Sequence, residues 1–389
     1  MATIAEQLTS LANTKAAIKQ SIINKGVQVA DTDPFSAYPA KIGQISGGPA
    51  EEWQPNPNWW DIKKILEEDT RNYAGKVGVI LYNFNDVSNF TLLPSDMTAV
   101  ATSDGAFYTY ADNGANVSHN WDTTQDKDDG RGFKTRWVIY YYTTDTTSDS
   151  FSQNSTKFGW EYNYIAYLVL RINCSNGNYF CQNQRVLEAI DTSAGYVIGG
   201  TNFGSFCINC NSLAKLPDVL DTSNGTNFSN FCAYCYVLAK LPDGLNTSNG
   251  TNFSSFCAYC NSLAKLPDVL DTSNGTNFGN FCAYCYVLAK LPETSMASNT
   301  SAIISKYSAP FYNSYWIMEL PLTLPSNTNF WLDALTRISI ESFRYIADHA
   351  PDVTATPRTL TVGSTNIGRI NEADPTIITD LNAKGWTVA

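Results

Sequence analysis

Apolar residues stand at Ile4, Leu8, Leu11, Ile18 and Ile22, with Lys15 in the same register. The steps alternate between four and three, the period of a helical seam. This predicts a helix over residues 1–25, which Gly26 is placed to stop. Two readings stay open. One is a coiled coil able to form a homotrimer, in which a single Lys sets register and oligomer state; the other is one amphipathic helix packed on its own domain. Three heptads are marginal alone, so a coiled coil here needs help from neighbouring domains. Asp33-Pro34 and Tyr38-Pro39 then force extended backbone, and the Gly-, Pro- and Trp-rich stretch 45–60 reads as a linker.

A short helix is predicted at 61–72 (DIKKILEEDTRN). After it the pattern is that of strands: KVGVILYNF, GAFYTYA, TRWVIYYYTT and YNYIAYLVLRI, separated by turn-rich SDG, DNG and DKDDGRG. From about 174 the chain repeats. Phe203, Phe228, Phe253 and Phe278 are 25 residues apart, and so are Leu216, Leu241, Leu266 and Leu291. A fixed period with apolar residues in register predicts a solenoid, because one unit cannot bury its apolar face alone and stacked units can. Segments 201–242 and 251–292 differ only at 204, 208, 209 and 229, which implies duplication of a fifty-residue pair. Cys181 with VLEAIDTS, and FYNSYWIMELP (311–321), read as degenerate end coils. Within a unit, Leu213, Leu216 and Leu220 are expected to point inward and Pro217 to end a helix-like segment; Asn224-Gly225 supplies a turn tolerant of positive φ. A helix is predicted at 331–350; RTLTVGSTNIGRI and a last short helix in EADPTIITDLNAKGW close the chain. The expected fold is thus α+β and multidomain: helix and extended arm (1–48), β-rich domain (49–173), and repeat solenoid with degenerate ends and a cap (174–389).

The cysteines fall in two columns of the same period. Cys207, Cys232, Cys257 and Cys282 form the first; Cys210, Cys235, Cys260 and Cys285 the second. Paired C-x-x-C is a zinc pattern at gaps of about 15–20 residues, and the gap here is 21. Against zinc and against redox chemistry, Phe, Leu and Pro repeat as faithfully as Cys, and FYNSYWIMELP puts Phe311 and Ser314 at the equivalent places. A buried free Cys behaves as a small hydrophobe, so the favoured reading is a structural thiol ladder with no metal and no cofactor. If the FCAYC segments are helical, neighbouring coils lie about 8–10 Å apart, too far for a disulfide, which leaves the column reduced.

Composition narrows the function classes. With 25 basic against 36 acidic residues, the net charge of −11 argues against nucleic-acid binding. The longest apolar runs, VGVILY and YIAYLVL, are too short to span a bilayer, and MATIAEQLTSLANTK lacks the form of a signal peptide, so synthesis in a cytoplasm without membrane insertion is expected. His119 and His349 stand far apart without marked Ser, Cys or Asp partners, and DKDDGRG lacks calcium-loop spacing. An enzyme is not expected, although a carboxylate pair for glycan cleavage needs no sequence proximity. The repeats offer recognition surface instead. Tyr234, Tyr259 and Tyr284 recur between the cysteines, while Tyr236 and Tyr286 alternate with Asn211 and Asn261. Tyrosines in a row can stack on sugars and donate hydrogen bonds, or pack between coils.

The repeat N-F-x-x-F-x-x-C-x-x-L-x-x-L-P-x-x-L-D-T-S-N resembles the BspA-type leucine-rich repeats of bacterial and phage surface proteins, over about 174–370. Cys210, Cys235, Cys260 and Cys285 match the family cysteine; the first column stands where the family often has other residues. The opening LANTKAAIKQSIINKGVQVADTDPFSAYPAKIGQI resembles the virion-attachment module of tail-fibre and head-fibre proteins of tailed gut phages. The resemblance implies a virion fibre: an N-terminal region bound to other virion proteins, self-association, and a displayed array contacting a host-surface glycan or protein.

Overall fold

The structure, a computed structural model, describes residues 53–82, 89–91, 97–109, 116–151, 164–299 and 308–389. The chain divides into two units, Met1–Gln54 and Pro55–Ala389. The predicted helix over 1–25, with Ile4, Leu8, Leu11, Lys15, Ile18 and Ile22, lies outside the described residues. The second unit is mixed α and β, with few helices among the described residues and several sheets, none of them closed.

Its main sheet is built from β1 (Gly75–Tyr82), β2 (Met97–Thr102), β3 (Phe107–Thr109), β4 (Lys127–Asp128), β5 (Lys134–Tyr142), β6 (Ile165–Arg171) and β7 (Ala189–Thr192). The order is β7-β6-β1-β5-β2-β3, with β4 against β5. Pairing is antiparallel except for β7, which runs parallel to β6. Every residue of β1 is buried, which explains its nearly unbroken apolar run: a strand covered on both faces has no polar side to alternate with. One cover is α1 (Ile62–Glu68), whose first turn is capped where Asp61 accepts the Lys64 N–H at 3.1 Å. Gly78 lets α1 come close, since a Cβ there would stand 2.7 Å from Ile62. The helix is shorter than the predicted 61–72, because Asp69 is already extended.

The edge strand β7 carries the chain into the repeats. Ile190 N–H donates to the Lys215 carbonyl (3.1 Å), and Ala189 bridges Lys215 in parallel. A single hydrophobic core accordingly runs from Val77 to Trp386.

Successive units stack in register, and the backbone explains how. Phe203, Ser205, Cys207 and Asn209 donate to carbonyls 24 residues ahead (Asn227, Ser229, Phe231 and Ala233) at 2.7–2.9 Å. Residues between them donate three back: Phe206 to Phe203 (3.3 Å) and Cys210 to Cys207 (3.2 Å). The pattern recurs at Phe228–Tyr234 and Phe253–Tyr259. Alternation between the two partners requires left-handed residues, found at Ser205, Asn209, Asn230, Tyr234, Ser255, Tyr259, Asn280 and Tyr284 (φ 52–63°). The segment is a ribbon of turns, so the helix-like reading is corrected. The coil separation of helix packing falls with it, since units joined by ladder hydrogen bonds sit about 4.8 Å apart.

Inside the stack, Phe203, Phe228, Phe253 and Phe278 form one column at 5.6–5.7 Å, with rings within 10° of parallel. Leu213, Leu216 and Leu220 point inward, as expected. The expected turn is there, with the Gly225, Gly250 and Gly275 N–H groups donating to the Thr222, Thr247 and Thr272 carbonyls at 2.8–2.9 Å, but these glycines have ordinary φ, so the expectation of positive φ is corrected. They provide room: a Cβ would meet the Cζ of Phe228, Phe253 or Phe278 at 2.5, 2.3 or 2.1 Å. The polar side of each unit is also laddered, with Thr226, Thr251 and Thr276 hydroxyls donating to Thr201, Thr226 and Thr251 carbonyls (3.1–3.2 Å).

Beyond the repeats, β8 (Thr294–Ser295) pairs in parallel with β9 (Leu322–Thr323). A second parallel sheet joins β10 (Phe330–Trp331), β11 (Arg358–Thr361) and β12 (Trp386–Val388). The predicted helix at 331–350 is corrected to α2 (Ile340–His349), because Ser339 caps it and Phe330–Trp331 is strand. GSTNIGRINEA forms α3 (Gly363–Ala373), where no helix was expected; Asn366, fully buried, ties it down by donating to the Leu335 and Val362 carbonyls. The last predicted helix is α4 (Thr376–Ala383). No helix among the described residues is long and apolar enough to cross a membrane.

Candidate binding face and thiol ladder

The two cysteine columns differ in what their thiols do. Second-column Cys210, Cys235, Cys260 and Cys285 lie with Sγ 2.8–3.1 Å from the carbonyls of Cys181, Cys207, Cys232 and Cys257, each one unit back. Each thiol thus donates a hydrogen bond between units. Ser314 stands in this column after Cys285, and its Oγ donates to the Cys282 carbonyl at 2.6 Å. The same Oγ accepts the Cys285 N–H at 3.0 Å. A hydroxyl and a thiol fill one role, so the small-hydrophobe reading omits the donor.

Thiols of neighbouring units lie close together. Cys257 and Cys282 of the first column are 3.1 Å apart at Sγ, and Cys232 of the first column lies 3.9 Å from Cys260 of the second. All ten cysteines are free and buried. Burial pushes the thiols of Cys207, Cys232, Cys235, Cys257 and Cys282 well above the ordinary range, so they keep their protons. Among the described residues no group of three or more His, Cys, Asp or Glu is arranged to hold a metal ion.

If the donor matters, Cys260→Ser will retain wild-type stability within about 1 kcal/mol, and Cys260→Ala will fall about 1–2 kcal/mol below the Ser variant. Urea midpoints measure this, and equal losses in the two variants would remove the donor role.

The tyrosines divide by ring orientation. Tyr234, Tyr259 and Tyr284 stack on one another at 4.5 and 4.3 Å, 11° and 9° from parallel. Both faces of Tyr259 and one face each of Tyr234 and Tyr284 are taken up within this stack. Burial together with the neighbouring Tyr284 hydroxyl pushes the Tyr259 phenol up to about 12. All three sit at φ 60–63°, a backbone region that suits Asn; Asn183, Asn209 and Asn313 adopt it too. Tyr236 and Tyr286 are exposed (37% and 42%) and stand edge-on to Tyr234 and Tyr284, at 80° and 87°. In the intervening units Asn211 and Asn261 are half-buried, with side-chain oxygens that lack a hydrogen-bond partner. The row continues to exposed Tyr315 and Trp316, the latter under the Arg337 guanidinium (3.7 Å).

Sequence reasoning missed two polar clusters. His119 lies with Nε2 2.9 Å from Asp104 and Nδ1 2.8 Å from the Tyr108 hydroxyl, closed over by Trp121. The carboxylate fixes the ring as in a catalytic pair, yet its other nitrogen meets a phenol rather than a Ser or Cys. The second cluster joins sheet to repeats. The Asp191 carboxylate accepts from Lys63 (2.8 Å), Lys215 (2.7 Å) and Tyr167. Its partners come from α1, β6 and the first stacked unit, so no local motif announces it. Comparisons with family models, with curated proteins and with solved structures find no match.

Proposed function

We propose that this chain is a virion fibre protein. Its stacked units form a BspA-like leucine-rich-repeat solenoid that binds a host-surface glycan. Residues 1–48 attach it to other virion proteins, and its helix drives homotrimer formation. The observation that carries the binding reading is the pair Tyr236 and Tyr286, exposed and turned edge-on against a rigid tyrosine stack. An aromatic ring held by its neighbours stacks on a sugar with little entropy left to lose. Curved repeat arrays offer extended surfaces for such contacts. The resemblance of the opening and of the repeat supports the virion setting.

The test is binding of the purified chain to host-surface polysaccharide, with Tyr236→Ala/Tyr286→Ala as the comparison. The double variant is expected to lose at least roughly tenfold in affinity, about 1.4 kcal/mol, while its melting temperature stays put. Unchanged binding by the variant would reject this face. Release of reducing ends from the polysaccharide would instead favour a depolymerase.

A further inference from the structure

We infer that the tyrosine–asparagine row takes an extended, uncharged, β-1,4-linked polysaccharide lying along the stacking direction and gripped at every second sugar. The inference rests on the glycan-binding reading above and adds the shape of the ligand.

Ring orientation sets the direction. The ladder of Tyr234, Tyr259 and Tyr284 is nearly parallel, so the normals of its rings run along the stack. Tyr236 and Tyr286 stand at 80° and 87° to that ladder, and a plane perpendicular to the ladder rings contains the stacking direction. Both exposed rings therefore contain the stacking direction in their planes, the orientation that lets a chain laid along the array stack on them.

Spacing sets the linkage. Tyr236 and Tyr286 are two units apart, which at ladder spacing is about 10 Å. A β-1,4-linked pyranose chain is extended, advances about one ladder step per sugar and turns over at each step. Every second sugar thus presents the same face at the period of the two tyrosines. The sugar between falls at Asn261, which is half-buried and presents no ring, and Asn211 repeats that arrangement one unit before Tyr236. An α-1,4-linked chain coils and leaves this register.

Charge sets the class. The four row residues Asn211, Tyr236, Asn261 and Tyr286 are uncharged, and so are Ser212, Val237, Ser262 and Val287 beside them. The four row positions themselves carry no cation to pair with an acidic sugar, Arg185 and Arg337 standing only at the two ends of the row, and the net charge of −11 disfavours a polyanion.

The experiment is calorimetric titration of the full chain with β-1,4-linked oligomers of glucose, N-acetylglucosamine and mannose, from monosaccharide to hexasaccharide. Malto-oligosaccharides supply the α-linked comparison and β-1,4-mannuronate oligomers the acidic one. For at least one neutral β-series, affinity is expected to rise at least roughly tenfold between disaccharide and trisaccharide, the shortest chain reaching both rings. Tyr286→Ala should abolish that step and leave disaccharide binding; Tyr286→Phe should keep it. Equal affinity for monosaccharide and hexasaccharide, or preference for the α-linked or acidic series, overturns the inference and leaves glycan binding standing. Absence of binding to every neutral β-linked oligomer also overturns it. If host-surface polysaccharide is still bound through Tyr236 and Tyr286, only the linkage is wrong; if not, the reading beneath it fails too.

Discussion

Phe253→Ala is expected to destabilise the second unit by about 3–5 kcal/mol, the range for emptying a large aromatic from a packed core. Phe253 is fully buried and stacked between Phe228 (5.7 Å) and Phe278 (5.6 Å), with Phe256 edge-on at 6.0 Å. Collapse to fill the hole is restricted, because the backbone on both sides is fixed by ladder hydrogen bonds at Phe253–Asn277 and Phe228–Asn252 (2.8 Å each). In a stack each unit leans only on its neighbours, so a void at the centre also weakens the coupling between halves. Guanidinium denaturation followed by circular dichroism should show a lower midpoint and a broader or split transition. Val269→Ala, at a residue 58% exposed, serves as the control and should move stability by no more than about 0.5 kcal/mol. A Phe253→Ala loss as small as the control's would mean the phenylalanine column is not what holds the units together.

Asp191→Ala is expected to cost about 3 kcal/mol, the lower end of the range for breaking a buried pair, because Lys215 is left with only the exposed Asp218 carboxylate at 3.2 Å. Lys215, with a side chain 16% exposed, carries most of this; Lys63, at 48%, finds water and contributes less. Burial by itself raises the Asp191 carboxyl, but hydrogen bonds from Lys215, Lys63 and Tyr167 outweigh it and hold the group below its ordinary value. The sign follows from that direction. A depressed carboxylate gives its full stabilisation above the unfolded value of about 3.9, and the stabilisation is lost as pH falls through the lower folded value. Wild-type stability should therefore drop in this acid range. Asp191→Asn, less stable at neutral pH, should show a shallower fall, and parallel curves for the two proteins would exclude the linkage.

Much of the repeat was legible because it rests on composition at a fixed period. The inward Leu213, Leu216 and Leu220 and the equivalence of Ser314 with the second cysteine column need no knowledge of the backbone. Backbone conformation is not legible in this way. A left-handed Tyr234 looks in sequence like any other tyrosine, so the sequence does not separate a ribbon of turns from a helix, and the unit separation expected for helices is too long. Ring direction is hidden for the same reason: Tyr234 and Tyr236 are two residues apart, yet Tyr234 stacks a face on the next unit's tyrosine and Tyr236 stands perpendicular to it. Asn224-Gly225 announces the turn that Gly225 closes, but not that the glycine also admits the Phe228 ring. The Asp191 cluster was out of reach because Lys63, Tyr167 and Lys215 meet only after three distant segments have folded.

The near-identity of 201–242 and 251–292 bears on inheritance. Excising residues 226–275 would join Gly225 to Thr276, the same Gly-Thr junction that already links the units at 225–226, 250–251 and 275–276. Both flanking caps would meet a partner of the kind they meet now. Slippage between two such similar stretches of gene can thus lengthen or shorten the protein in whole pairs, giving a lineage graded reach without redesigning either end.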